Sequence, residues 1–270
     1  MSAPHDLAAW MAKHEHRDKK FGHIYRYHSR SDAHSIELCE LVMRDILKQC
    51  PIMQEQAARG EIAYGVNIEH FWESSGKAKA LDLAVGVPAR PALPASGIQR
   101  VSSNRRKSGE LPSAGRNVFT NVLIACEAKA VMTEHGKSQP RVFDELSSSH
   151  EIVHQGSQET IAAGIVMVNA AATFASPLRQ EKGAPILFSK HDQPRVTERM
   201  VNHLRGLRIR DEIGQVGFDA FCTFVVDCDN QTTCVLHTGS PAPQPGDKDH
   251  YDTFIERIVR FYSERFSKLP

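Results

Sequence analysis

The chain has 270 residues, enough for one large domain or a domain with insertions. Its 41% apolar and 24% charged residues are the proportions of an ordinary globular protein. A formal net charge of +1 makes no global case for nucleic acid, so any polyanion-binding surface has to come from local clustering. The first twenty residues hold no apolar run of the secretory kind, and the longest apolar stretch, 161–172, is too short to span a bilayer. Six cysteines without a C-x-x-C pair read as free thiols in a reducing cytoplasm, with Cys222, Cys228 and Cys234 taken as structural.

Residues 1–34 are dense in histidine and basic side chains. His14, His16, His23, His28 and His34 stand among Lys13, Arg17, Lys19, Lys20, Arg26 and Arg30, with Tyr25 and Tyr27 interleaved. A phosphate-contacting arm and a solvated surface segment both fit this composition. Ser35 to Cys50 then reads as a helix, because Ile36, Cys39, Met43, Ile46, Leu47 and Cys50 recur at three and four and Pro51 follows. Glu40 shares a side with Ile36, Met43 and Leu47, which makes it the more inward carboxylate of that helix.

Residues 61–73 alternate as a strand, and Ser74-Ser75-Gly76 is a turn signal. Residues 79–87 follow as the second arm of a hairpin. Alternation places Asp82, Ala84 and Gly86 on one face, and Leu81, Leu83, Val85 and Val87 on the other. Residues 88–116 lack periodicity and contain Arg100, Arg105, Arg106, Lys107 and Arg116. Such a segment is either a basic loop that grips a phosphate backbone or a solvated insertion.

The stretch 122–131 is a strand with Glu127 and Lys129 projecting from one face and Cys126 and Ala128 from the other. Two charges on an otherwise core-like strand are costly unless they meet water, a metal or a partner. Ser138 can cap the next helix, with Pro140 near its first turn, and 161–172 has the continuous apolar character of a strand covered on both faces. Residues 197–207 are a helix expectation, 218–226 and 232–237 a hairpin, 240–247 a linker. Residues 251–266 form a strongly amphipathic helix, able to pack on the core or on a second subunit.

A lone aspartate followed by Glu-x-Lys, each on a strand, resembles the pattern of the PD-(D/E)XK nucleases, in particular the restriction-endonuclease-like members. The order of elements over residues 35–175 is similar as well: helix, strand, strand with Asp82, strand with Glu127 and Lys129, helix, buried strand. Leu81 stands before Asp82 where the pattern has proline, and the gap to Glu127 is long. The resemblance implies an α/β fold with a central mixed sheet flanked by helices. Residues 35–175 would be the core, 88–116 an inserted basic loop, and 176–270 a C-terminal elaboration packed on it.

It further implies a Mg²⁺-dependent endodeoxyribonuclease, with Mn²⁺ able to substitute, acting on double-stranded DNA in restriction or anti-phage defence as a homodimer or higher homo-oligomer. Asp82 and Glu127, with the Cys126 backbone carbonyl, would hold the cation, whose preference is for hard oxygen donors. Lys129 would position or deprotonate water or offset phosphate charge, and Glu40 would be the extra ligand of a two-metal version. Arg100, Arg105, Arg106, Lys107 and Arg116 would contact nucleic acid.

Two other readings compete. One is a non-catalytic nucleic-acid-binding module on the same fold. The other is a zinc peptidase, since His150-Glu151-x-x-His154 has the spacing that places two imidazoles on one helix face. No Walker loop, G-x-G-x-x-G or G-x-S-x-G is present.

Overall fold

A computed structural model describes residues 2–90, 97–102 and 117–269. Among these, seven strands form one mixed sheet with helices on both faces, the α/β architecture expected. In chain order the sheet takes β3 (Ala63–Trp72), β4 (Lys77–Pro88), β5 (Gln99–Val101), β6 (Phe119–Val131), β7 (Ile161–Asn169), β10 (Ala220–Cys228) and β11 (Cys234–His237). In space they lie β11-β10-β7-β6-β4-β3-β5. The central β6, β7 and β10 are parallel, while β4 is antiparallel to both β3 and β6. Two two-stranded pairs stand apart, β1 (His16–Arg17) with β2 (Ile24–Tyr25), and β8 (Thr173–Phe174) with β9 (Ser189–Lys190).

Helices α1 (Ala3–Met11), α2 (Ala33–Gln49), α3 (Pro51–Ala58) and α6 (Tyr251–Phe266) cover one face of the sheet. The other carries α4 (His135–Gly156) and α5 (Arg195–Leu204). Every residue of β7 is buried, as its unbroken apolar run requires when both faces are covered. The amphipathic α6 buries Phe254, Ile258 and Tyr262 in this chain's own core, so its stripe is not free for a second subunit. No helix among the described residues is long and apolar enough to cross a membrane.

Two regions differ from expectation. Residues 1–34 do not form a free arm. Leu7 and Met11 of α1 and Tyr25 of β2 are fully buried, and Asn230 bonds both backbone groups of Tyr27. Charge density hid this, because a few apolar side chains anchor a mostly polar segment. The residues called an elaboration likewise supply β10, which pairs along its length with β7 and is itself core.

The β3–β4 hairpin is sharply bent. Phe71 pairs with Ala78 and Phe119 pairs with Pro88, so a straight β4 would hold the two ends about 33 Å apart at about 3.3 Å per residue. Yet the Asn117 side chain donates to the Phe71 carbonyl at 2.8 Å and accepts from its N–H at 2.9 Å. The hairpin tip lies on the end of α4, where Ser74 Oγ donates to the Gly156 carbonyl at 2.6 Å and Lys77 Nζ to Gln155 at 2.7 Å. Gly156 is needed there, since a Cβ would fall 2.2 Å from the Trp72 ring.

The bend passes through Asn67, whose φ of +54° is a left-handed conformation that asparagine tolerates better than most residues. Across it the side chains change sides. Val66 and Leu83 pack with α2 and α6, whereas Ile68 and Leu81 pack with α4. Strict alternation therefore fails at Leu81, which does not share a face with Leu83 and Val85.

Candidate functional site

The bend creates a fork in the sheet. The last β4–β6 pair is Leu83 with Cys126, and at the next position Asp82 Oδ2 accepts the backbone N–H of Ala128 at 2.7 Å. Its Oδ1 receives no hydrogen bond from the described residues. Burial first, and then the negative charge of Glu127, push the Asp82 carboxyl up to about 6.

Glu127 sits beside it on β6, 7% exposed. Lys129 Nζ lies 2.6 Å from Glu127 Oε1, and Lys79 Nζ lies 2.9 Å from Oε2, which also accepts from Ser149 of α4 at 3.3 Å. Burial alone would raise the Glu127 carboxyl, but the two lysines bring it below its ordinary value. Lys129 also reaches Glu145 of α4 at 3.4 Å. Burial works against its charge, yet Glu127 outweighs that and raises the lysine pKa. Asp82 of β4 and Glu127 and Lys129 of β6 are therefore neighbours at this fork, where Glu127 and Lys129 face α4.

The other expected residues fall elsewhere. Glu40 is on the opposite side of the sheet, where it accepts the Tyr64 hydroxyl at 2.5 Å and pairs with Arg100 at 2.6 Å. It does not join Asp82 and Glu127. Among the described residues no three His, Cys, Asp or Glu side chains are grouped to hold a metal. Arg100 belongs to the short strand β5 and is committed to Glu40, while Arg105, Arg106, Lys107 and Arg116 lie outside the described residues. The Cys126 side chain points into the α2 and α6 core, as alternation requires, and burial pushes its thiol well up.

His150 and His154 do share one face of α4, their rings 6.1 Å apart beside a cavity of about 270 Å³. His154 Nε2 is bonded to Asp219 Oδ2 at 3.1 Å, and the His150 ring packs edge-on against Phe218. Burial brings the His150 imidazole down to about 4, helped by the charges of His154 and Arg210.

Asp219, fully buried, also takes Arg210 at 2.9 Å, Arg265 at 2.7 Å and the N–H of Ala162 at 2.8 Å. Burial opposes its ionisation, but these donors hold the carboxyl down at about 2. Two guanidiniums on one carboxylate leave this corner electropositive, the wrong sign for a zinc ion sharing His154.

Lys79 is the site residue that sequence reasoning missed. Three positions before Asp82, alternation puts it on the opposite face, and only the bend turns it toward Glu127. The Asp219 cluster was equally hidden, because His154, Asp219 and Arg265 are far apart in the chain. No known family model, curated protein or solved structure matches the chain.

Proposed function

We propose that the protein is a Mg²⁺-dependent endodeoxyribonuclease that hydrolyses phosphodiester bonds of double-stranded DNA in restriction or anti-phage defence. The observation that carries this reading is the convergence of Asp82, Glu127 and Lys129 at the fork between β4 and β6. Two copies of the chain would present symmetry-related sites to the two strands of a duplex.

In this reading a divalent cation would be held chiefly by Asp82. Asp82 is a half-buried carboxylate beside a second one, its Oδ1 receives no hydrogen bond from the described residues, and a cation between them would relieve their repulsion. Mg²⁺ retains several of its waters, so few protein ligands would be needed, Asp82 first and Glu127 once a lysine gives way. Bound there, it would supply charge neutralisation at the phosphate and a more acidic water. Lys129, a quarter exposed, brings an ammonium beside Glu127, where it can offset phosphate charge or orient an attacking water. Lys79 offers a second ammonium from the folded hairpin.

The test is incubation of phage and plasmid DNA with the protein in Mg²⁺ or EDTA, beside Asp82→Ala and Lys129→Ala. Cleavage is expected from the parent protein in Mg²⁺ alone, with at least about a hundredfold loss in each variant at unchanged circular dichroism. Undiminished cleavage by both variants would remove these residues from the mechanism. One observation favours a second reading, a non-catalytic nucleic-acid-binding module. Both Glu127 oxygens are already held by lysines, as in a closed structural ion-pair cluster. That reading expects salt-dependent DNA binding that survives Lys129→Ala, and no cleavage.

A further inference from the structure

The hairpin of β10 and β11 ends on the pair Cys228 and Cys234, directly opposite one another in the antiparallel ladder. The backbone of Cys228 is committed elsewhere. Its N–H donates to Asn169 Oδ1 at 3.0 Å, and its carbonyl accepts from Asn169 Nδ2 at 2.9 Å. Neither group is left for Cys234, while the next residues do pair, Asp229 N–H to the Thr233 carbonyl at 3.2 Å. Cys228 and Cys234 are thus a non-hydrogen-bonded antiparallel pair, the kind whose Cα atoms approach to about 4.5 Å with side chains closest. That separation lies inside the range a disulfide spans.

Both side chains enter the same core cluster, so they point the same way, and both are free thiols. The turn between them is fixed. Asp229 accepts the N–H groups of Gln231, Thr232 and Thr233, and Asn230, fully buried at φ +71°, bonds Tyr27 and the Ala175 carbonyl. The two sulfurs are therefore held face to face by contacts that do not involve them.

We propose that Cys228 and Cys234 are a reversible two-electron oxidation site, closed to a cross-strand disulfide by a hydroperoxide. One sulfur attacks the peroxide and breaks its O–O bond, becoming a sulfenic acid and releasing an alcohol or water. The second sulfur displaces the sulfenic oxygen as water, forming the S–S bond. The two thiol protons leave in the products, and the sulfurs supply the two electrons that reduce the peroxide.

The neighbouring Cys228 thiol and burial hold the Cys234 thiol far above its ordinary range, so the closed hairpin resists attack. β11 is an edge strand of four residues with one neighbour, and its local opening is the step that admits oxidant. Once formed, the bridge pins the turn that holds the N-terminal segment through Asn230.

The experiment treats the full-length protein with hydrogen peroxide, alkylates it in denaturant, and digests it before Asp229, which separates the two cysteines unless a bridge joins them. The expected result is a joined peptide pair lacking two hydrogens, two fewer alkylated thiols of the six, and full recovery with dithiothreitol. The thermal midpoint should rise on oxidation in the parent and stay unchanged in Cys234→Ala. Oxidation falling first on Cys39, Cys50, Cys126 or Cys222, or sulfinic acid at Cys228 or Cys234 without a joined pair, overturns the proposal. The peptide map uses the parent protein, so it decides the matter even if the variant fails to fold.

Discussion

Asp219 is a fully buried carboxylate and Asp82 a half-buried one, and their surroundings set them apart. Asp219 collects two arginines, a histidine and a backbone N–H, and its carboxyl is held down at about 2. Asp82 has one backbone N–H and a second carboxylate for company, and its carboxyl is pushed up to about 6. Folding completes the bonding of the first and leaves that of the second unfinished. A fully satisfied buried charge locks tertiary structure. A charge held at a cost, at the mouth of a fork, is where a ligand would gain most by binding.

The comparison can be broken from either side. The largest effect is expected from Arg210→Met, which leaves Asp219 short of a partner in the interior and should cost about 3–5 kcal/mol in urea unfolding. Loss of only a few tenths would mean that Arg265 and His154 suffice. Acidification tests the same group. A folded carboxyl near 2 contributes stability in full above its unfolded value of about 4 and loses it as pH falls from there through about 2. The unfolding free energy should drop by about 2 kcal/mol across that window in the parent protein, and by much less in Asp219→Asn, if that variant folds.

The opposite sign is expected at Asp82. Its folded value exceeds the unfolded one, so the folded state binds the proton more tightly, and stability declines as pH rises from about 4 through about 6. Asp82→Asn keeps an acceptor for the Ala128 N–H and removes the charge. It should therefore stabilise the protein by about 1–2 kcal/mol at pH 8 and by nothing measurable at pH 4, while abolishing cleavage. Destabilisation at pH 8 would place Asp82 with Asp219 as a structural group. An effect of similar size is expected at the hairpin tip. Gly156→Ala should cost about 1–3 kcal/mol as the Trp72 ring is displaced, and reduce cleavage through movement of Lys79 rather than through Asp82.

Much of this was legible locally. The periods of 251–266 and 35–50 announced α6 and α2, the alternation in 122–131 announced β6 with Glu127 and Lys129 on one face, and the unbroken 161–172 announced a strand buried on both sides, which ends at Asn169. Asp82 could be picked out because a carboxylate inside an apolar run needs a reason. Glu40 was misplaced because facing the core side of α2 says nothing about which side of the sheet α2 occupies, and it is the side away from Glu127. Arg100 was read as part of a loop because three residues of edge strand are too few to show a period.

The sequence by itself determined most of the elements and, within β6, the common face of Glu127 and Lys129, since both follow from backbone periods of two and 3.6 residues. Only the tertiary structure decided the bend at Asn67, and with it the transfer of Leu81 to the α4 side and the arrival of Lys79 at Glu127. It alone decided that His154 would belong to Asp219. A local period carries no information about a single left-handed residue that reverses it, nor about which distant charges packing will bring together. Those are fixed by the requirement that every buried polar group find a partner, and that requirement is met only when the whole chain has closed.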